Sequence, residues 1–209
     1  MSILNAFITP DLGLVGFDTE GAMPDGSFVD GCKLIALPHI NAVIGFRGLD
    51  FVQATASPNL VSFKGTLEAL ADDLPRFLMD VINHCRVHHQ SPDEHLGANL
   101  VLVGYSPAKG EVVGYSVSRE VGADTAQSGL IVGQYIAPFW CREDLPTGIR
   151  ADRQGMITLA QHQSRLSRDR MPEFAAGGRF FIAEIRRNSI RIEQAFEFPQ
   201  REPGSSGKS

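Results

Sequence analysis

The strongest constraint on the fold of this chain is a change of hydrophobic pattern near Asp50. Before that residue, short and nearly continuous apolar runs are separated by turn residues, as in "ILNAFIT", "LVGFD", "KLIALP" and "NAVIGF". Such runs are typical of strands that are covered on both faces. After Asp50, the segment "SFKGTLEALADDLPRFLMDVINHCRVHH" carries apolar residues at helical spacing. We therefore predict two β-hairpins followed by a long helix, which Pro75 should kink or divide.

The remainder of the chain repeats this alternation of strands and helix. "NLVLVGYS" and "EVVGYSVS" flank the turn "PAKG" and predict a third hairpin, and "GLIVGQYIAPFW" predicts one further strand. "RADRQGMITLAQHQSRLSRDRM" predicts a second helix, and "GGRFFIAEIRRNSIRIEQAFEF" predicts two closing strands. Strands grouped around blocks of helix favour an α+β fold, a four-layer αββα sandwich of two mainly antiparallel sheets. We predict one domain over residues 1–198 and a flexible polar tail over 199–209.

Composition excludes several classes of function. The net charge of −5 argues against a nucleic-acid or anionic-membrane surface as the main partner. No apolar run reaches the length of about 18 residues that spans a bilayer, and the first residues lack the pattern of a signal peptide. The cysteines Cys32, Cys85 and Cys141 are odd in number and widely spaced, so they predict no disulfide framework. A cytoplasmic protein is the expectation.

Four positions in the first fifty residues stand in a recognisable layout. Ser2 becomes the first residue if Met1 is removed, Asp18 occurs in "GFDTEG", Lys33 in "GCKLIAL" and Gly48 in "GFRGLD". Lysine is among the residues least often buried without a partner, which makes Lys33 conspicuous at the start of an apolar strand. This layout resembles the β-type subunits of the proteasome and its bacterial relatives, within the N-terminal nucleophile (Ntn) hydrolase superfamily.

The resemblance implies a role for each of these residues. Ser2 would be the nucleophile, with Asp18 and Lys33 beside it, and Gly48 would offer its N–H to the oxyanion. Phe46 and Asp50 flank Gly48 and would belong to the pocket that selects the residue before the cut. The resemblance also implies a homo-oligomeric ring, an ATP-dependent unfoldase as a partner, and a peptide or protein substrate, without a cofactor.

The chemistry of these residue types fits that expectation. A serine hydroxyl is a weak nucleophile until a base takes its proton. A free α-amino group has a pKa of about 7.7–8.0 and can act as that base. An ammonium nearby lowers the pKa of a neighbouring amine or hydroxyl, and a glycine N–H can approach an oxyanion closely. The expected reaction is acyl transfer to Ser2, followed by hydrolysis of a peptide or amide bond.

One alternative function stays open, and a metal site is considered and set aside. In the family an Asp and a Ser precede the Gly-Gly turn, whereas the nearest positions here are Glu173 and Ala176, which favours a catalytically silent ring scaffold or assembly protein of the same fold. His84 and His88 stand at i and i+4, a spacing that can chelate a metal ion. Cys85 replaces the glutamate of the zinc-peptidase motif, and histidines are common in a last helical turn, so we predict no metal site.

Overall fold

The computed structural model describes residues 2–22, 28–48, 58–88, 90, 92–93, 96–138, 145–170 and 176–199. Within these ranges the chain is α+β, with two large antiparallel sheets and two long helices. The helices are α1 (Leu67–His88) and α2 (Arg153–Arg170), and a 3₁₀ turn spans Pro38–Ile40. The strands are β1 (Leu4–Thr9), β2 (Leu12–Asp18), β3 (Glu20–Ala22), β4 (Phe28–Asp30), β5 (Leu34–Leu37), β6 (Ala42–Gly48), β7 (Ala98–Ser106), β8 (Glu111–Arg119), β9 (Gln127–Leu130), β10 (Gln134–Ala137), β11 (Arg179–Arg186) and β12 (Ser189–Glu197).

The predicted hairpins form and supply most of both sheets. The first sheet has the strand order β10-β1-β2-β11-β12, and the second has the order β5-β6-β7-β8-β9. Leu4 lies opposite Phe17 in the first hairpin, and Leu34 lies opposite Gly45 in the second. A small sheet of β3 and β4, which the apolar pattern did not predict, stands beside these two.

One predicted strand is wrong as stated. The segment 129–140 does not form a single strand: β9 ends at Leu130 on the edge of the second sheet, and β10 begins at Gln134 on the edge of the first. Gly133 lies between them with φ +76°, a left-handed conformation that glycine adopts without steric cost. Its carbonyl accepts a hydrogen bond from the Ile8 N–H at 2.7 Å. The segment is mostly apolar in sequence, but β9 and β10 within it belong to different sheets.

Three apolar clusters lie between these elements. One fills the space between the two sheets, one lies between the second sheet and α1, and one lies between the first sheet and α2. Fully buried members include Val15 and Val103 of the first cluster, Ile44 and Leu74 of the second, and Ile182 and Leu159 of the third. The alternation of side chains along each strand explains how one sheet contributes to two clusters.

Both helices begin at residues suited to cap them. The Thr66 hydroxyl accepts from the Ala69 N–H at 3.2 Å, and the Asp152 carboxylate accepts from the Gly155 N–H at 2.8 Å. Pro75 does not divide α1, which continues to His88. In α2, Gln163 is 1% exposed and pairs with Asn5 of β1 through its side-chain amide at 2.7 Å.

No helix in the described ranges is long and apolar enough to cross a bilayer. Residues 200–209 lie outside those ranges, so the predicted boundary between domain and tail stays a prediction.

Candidate active site

Lys33 stands at the centre of a buried polar cluster just before β5. It is 4% exposed, and its ammonium donates to Ser2 Oγ at 2.9 Å, to Asp18 Oδ1 at 2.9 Å and to the carbonyl oxygen of Glu20. An ammonium carries three protons, so these three acceptors satisfy it fully. The unusual lysine of the sequence is therefore buried with a complete set of partners.

Asp18 supplies the compensating charge from the last position of β2. Its side chain is fully buried and accepts from the Ile3 N–H at 2.9 Å and from the Gly177 N–H at 3.3 Å, in addition to Lys33. A buried carboxylate is tolerated when it has an opposite charge and hydrogen-bond donors, and Asp18 has both. The Gly-Gly turn before β11 thus reaches the cluster through a backbone N–H.

The orientation of the hydrogen bond at Ser2 limits the chemistry of the cluster. Ser2 Oγ accepts a hydrogen bond from the ammonium, so the serine's own hydroxyl hydrogen is directed elsewhere. A protonated Lys33 cannot take that hydrogen as a base. Its positive charge instead favours the alkoxide form of the hydroxyl. A nucleophilic role of Ser2 would therefore need a base other than a charged Lys33.

Arg47 is a member of the cluster that the sequence analysis missed. Its Nε–H donates to the Ser2 carbonyl at 2.9 Å, and its Nη1 donates to Asn99 Oδ1 at 2.8 Å. The alternation of side chains between the two faces of β6 could have identified Arg47 from the sequence. Val43 and Gly45 share its face and pack against the first sheet, so an arginine at the next position on that face had to meet polar partners.

Burial sets the electrostatics around Arg47. Desolvation lowers the pKa of its guanidinium, and the negative charge of Asp18 is among the influences that oppose this shift. For the Tyr135 phenol on β10, burial has the opposite direction: it disfavours the charged phenolate and raises the pKa, while the positive charge of Arg47 opposes that rise. Two basic side chains, Lys33 just before β5 and Arg47 on β6, contact Ser2.

The other predicted site residues, Phe46, Gly48 and Asp50, lie near the end of β6 or follow it in the sequence. Gly48 follows Arg47 at the end of β6 with φ +123°, and a Cβ there would lie 2.5 Å from the Gly97 carbonyl oxygen. Phe46 is 4% exposed and packs in the cluster between the second sheet and α1, on the face of β6 opposite to Arg47. Asp50 lies outside the described residues. The roles of all three in an oxyanion hole or substrate pocket stay predictions.

One pocket in the described part of the chain lies away from this cluster. It has a volume of about 250 Å³, and its lining includes Ile8, Pro10, Val112 and Val132. Ile8 lies six strand positions beyond Ser2, which corresponds to about 20 Å along β1. None of the residues that line this pocket belongs to the Lys33 cluster. Among the described residues, no group of three or more potential side-chain ligands is arranged to hold a metal ion.

Comparison with known proteins identifies the fold. No protein-family model matches the sequence, and a comparison with curated protein sequences finds no match. Solved structures do match. An Anbu (Gly-1) mutant from Hyphomicrobium sp. strain MC1 aligns with a TM-score of 0.64 at 13% identity, covering 94% of this chain and 87% of that chain. Anbu (ancestral beta-subunit) from Yersinia bercovieri aligns with a TM-score of 0.67 at 9% identity, covering 94% and 88%.

This chain shares the fold of Anbu. The likeness supports the proteasome-like fold that the first fifty residues predicted. At identities of 13% and 9%, it concerns the fold and not the activity. The function has to be argued from the Lys33 cluster itself.

Proposed function

We propose that this chain is a proteasome-like N-terminal nucleophile hydrolase that cleaves peptide or amide bonds by acyl transfer to Ser2. The observation that carries the proposal is the contact between Lys33 Nζ and Ser2 Oγ at 2.9 Å, with Asp18 paired to the same ammonium. A hydroxyl beside a buried, fully satisfied ammonium is a candidate nucleophile, because the cation stabilises its deprotonated form.

The proposed mechanism requires removal of Met1, which lies outside the described residues. Removal leaves a free α-amino group on Ser2, and this amine takes the hydroxyl proton directly or through a water. Ser2 Oγ then attacks the carbonyl carbon of the substrate, and the N–H of Gly48 is proposed to stabilise the oxyanion. The protonated amine returns the proton to the leaving amine as the C–N bond breaks. In the second step the amine takes a proton from water, which attacks the ester carbonyl, and the amine returns that proton to Ser2 Oγ as the ester C–O bond breaks.

The proposal extends to architecture. The three apolar clusters support a four-layer αββα sandwich, because each lies between two successive layers. The likeness to a protein described as an ancestral beta-subunit supports a homo-oligomeric ring. An ATP-dependent unfoldase as partner and a cytoplasmic location stay predictions.

A catalytically silent ring scaffold or assembly protein is the second candidate function. Ala176 favours it, because its buried side chain has no hydroxyl at the turn where the family carries a supporting serine. Glu173, the other altered position, lies outside the described residues. A silent protein would keep the Asp18–Lys33 pair as a structural salt bridge between strands.

Intact mass spectrometry and covalent labelling test the proposal. The mass of the purified native chain is measured first, and we expect the value without Met1. The chain is then treated with a β-lactone that acylates nucleophilic hydroxyls. We expect one adduct on the wild type and on Ser128→Ala, a control at an exposed position of β9, and none on Ser2→Ala.

Two results would contradict the proposal. Retained Met1 would exclude the α-amino group as the base. A folded wild-type protein without Met1 that forms no adduct would favour the scaffold.

A further inference from the structure

The peptide group that joins Ser2 to Ile3 is held at both ends. Its carbonyl oxygen accepts from Arg47 Nε–H at 2.9 Å, and its N–H donates to Asp18 Oδ1 at 2.9 Å. Two charged side chains from different strands therefore bind the two polar atoms of one peptide plane. Charge-assisted hydrogen bonds of this kind are stronger than those between neutral groups.

The guanidinium is itself held in place. Asn99 lies directly opposite Arg47 in the pairing of β6 with β7, and its side-chain oxygen accepts from Arg47 Nη1 at 2.8 Å. The guanidinium thus bridges a strand of the second sheet to the first residues of the chain, ahead of β1. Burying a cation in this position carries a desolvation cost, which two hydrogen bonds to fixed acceptors offset.

This arrangement matters most when Ser2 is the terminal residue. Terminal residues are poorly ordered unless something ties them down. Without Met1, the peptide between Ser2 and Ile3 is the single peptide group attached to the serine, so its orientation determines where the Cα and side chain of Ser2 lie. Holding that plane places Oγ within reach of Lys33 Nζ.

We propose that Arg47 is a positioning residue that holds Ser2 in its reactive orientation by binding the Ser2 carbonyl. The inference deepens the proposed hydrolase function and rests on it for its catalytic consequence. Arg47 does not touch the reacting atoms. It acts through the backbone of the nucleophile, in concert with Asp18 on the other side of the same peptide group.

Three variants and a control test the proposal. Arg47→Ala removes the donor, Arg47→Lys keeps a charge but loses the planar fork, and Asn99→Ala frees the guanidinium. Arg191→Ala is the control, because this arginine of β12 is 72% exposed. Thermal unfolding first establishes that each variant is folded. Amide hydrogen exchange at Ile3, followed by NMR, then reports on the held peptide without depending on any activity.

In Arg47→Ala we expect the Ile3 amide to exchange about 10-fold faster or more, since the opposite end of its peptide plane is released. We expect the maximal rate of β-lactone labelling to fall about 10- to 100-fold with the half-saturating lactone concentration unchanged. Millimolar methylguanidinium should restore part of the rate. Arg47→Lys and Asn99→Ala should be intermediate, and Arg191→Ala should match the wild type.

The outcomes separate this inference from the proposed function. If Ile3 exchange in folded Arg47→Ala equals that of the wild type, Arg47 does not hold the peptide and the inference is wrong. If labelling of Arg47→Ala equals that of the wild type, a positioning role in catalysis is excluded. If the wild type forms no adduct but Ile3 exchange still accelerates in Arg47→Ala, the hydrolase proposal fails while Arg47 is established as the anchor of Ser2. Should Arg47→Ala not fold, the same comparisons apply to Arg47→Lys and Asn99→Ala.

Discussion

Replacing Lys33 with Met tests the buried charge pair most directly. Methionine keeps much of the apolar stem but removes the ammonium that faces Asp18, whose side chain is fully buried. Breaking a buried ion pair by removing one partner costs about 3–5 kcal/mol, because the other charge is left uncompensated. The backbone N–H groups of Ile3 and Gly177 still donate to the carboxylate, so we expect the lower end of that range, about 3 kcal/mol. For a domain of this size, that loss lowers the melting temperature by about 6–12 °C.

A double-mutant cycle isolates the pair from the rest of the cluster. Asp18→Asn combined with Lys33→Met removes both charges, although the new amide cannot accept from both N–H donors. We expect the double variant to be more stable than the sum of the single losses implies, by about 2 kcal/mol.

Urea-induced unfolding of the four proteins measures these free energies, and an unchanged dependence on urea concentration would show that the folded states are comparable. Additive losses would refute the reasoning, as would a Lys33→Met protein within about 0.5 kcal/mol of the wild type.

β-Lactone labelling of folded Lys33→Met tests the role of Lys33 in the proposed reaction. We expect no adduct, and wild-type labelling would remove Lys33 from the proposed mechanism. Because Lys33 is buried and contacts Ser2, we expect loss of stability and loss of reactivity to occur together.

Further expectations concern other positions. Gly48→Ala should destabilise the chain by about 2 kcal/mol or more, through its positive φ and the close Gly97 carbonyl, whereas Gly110→Ala, with φ +72° and open space, should cost about 1 kcal/mol in the same thermal-unfolding assay. Gln163→Leu should cost about 1–3 kcal/mol, because the buried side-chain NH2 of Asn5 on β1 loses its acceptor. Hydrogen bonds from arginines lower the pKa of the Asp93 carboxyl in the folded state. Its contribution to stability is therefore present above the unfolded pKa and is lost as the pH falls through the lower folded pKa. In Asp93→Asn we expect a smaller loss of stability below pH 4, measured by unfolding across an acid pH series.

Much of the fold could be predicted because its signals are local. The apolar runs of β1 and β2 flank a short turn at Pro10 and Asp11, and the helical spacing of α1 continues over many turns. The prediction failed between 129 and 140, where one mostly apolar segment contributes strands to two sheets. Apolar character predicts burial but does not identify the neighbouring strand, and Gly133 alone marked the change of direction.

The candidate site, like the fold, could be predicted only in part from the sequence. Ser2, Asp18 and Lys33 could be named from their order and the family layout, and the structure brings them together. Arg47 was not named, because its role depends on a partner 45 positions earlier in the chain. Its alternation with Val43 and Gly45 along β6 could have shown which face it lies on, but not which atoms it meets.

The sequence by itself determined the hairpins, the two helices and the presence of a lysine that needed partners, because the period of apolar residues and the chemistry of turns act over short distances. Tertiary structure decided which atoms satisfy that lysine. Placing β11 beside β2 brings the Gly177 N–H to a carboxylate 159 residues away, and the packing of the two sheets brings Lys33 to a serine 31 residues away. These hydrogen bonds depend on strand order and sheet packing, which no local pattern encodes.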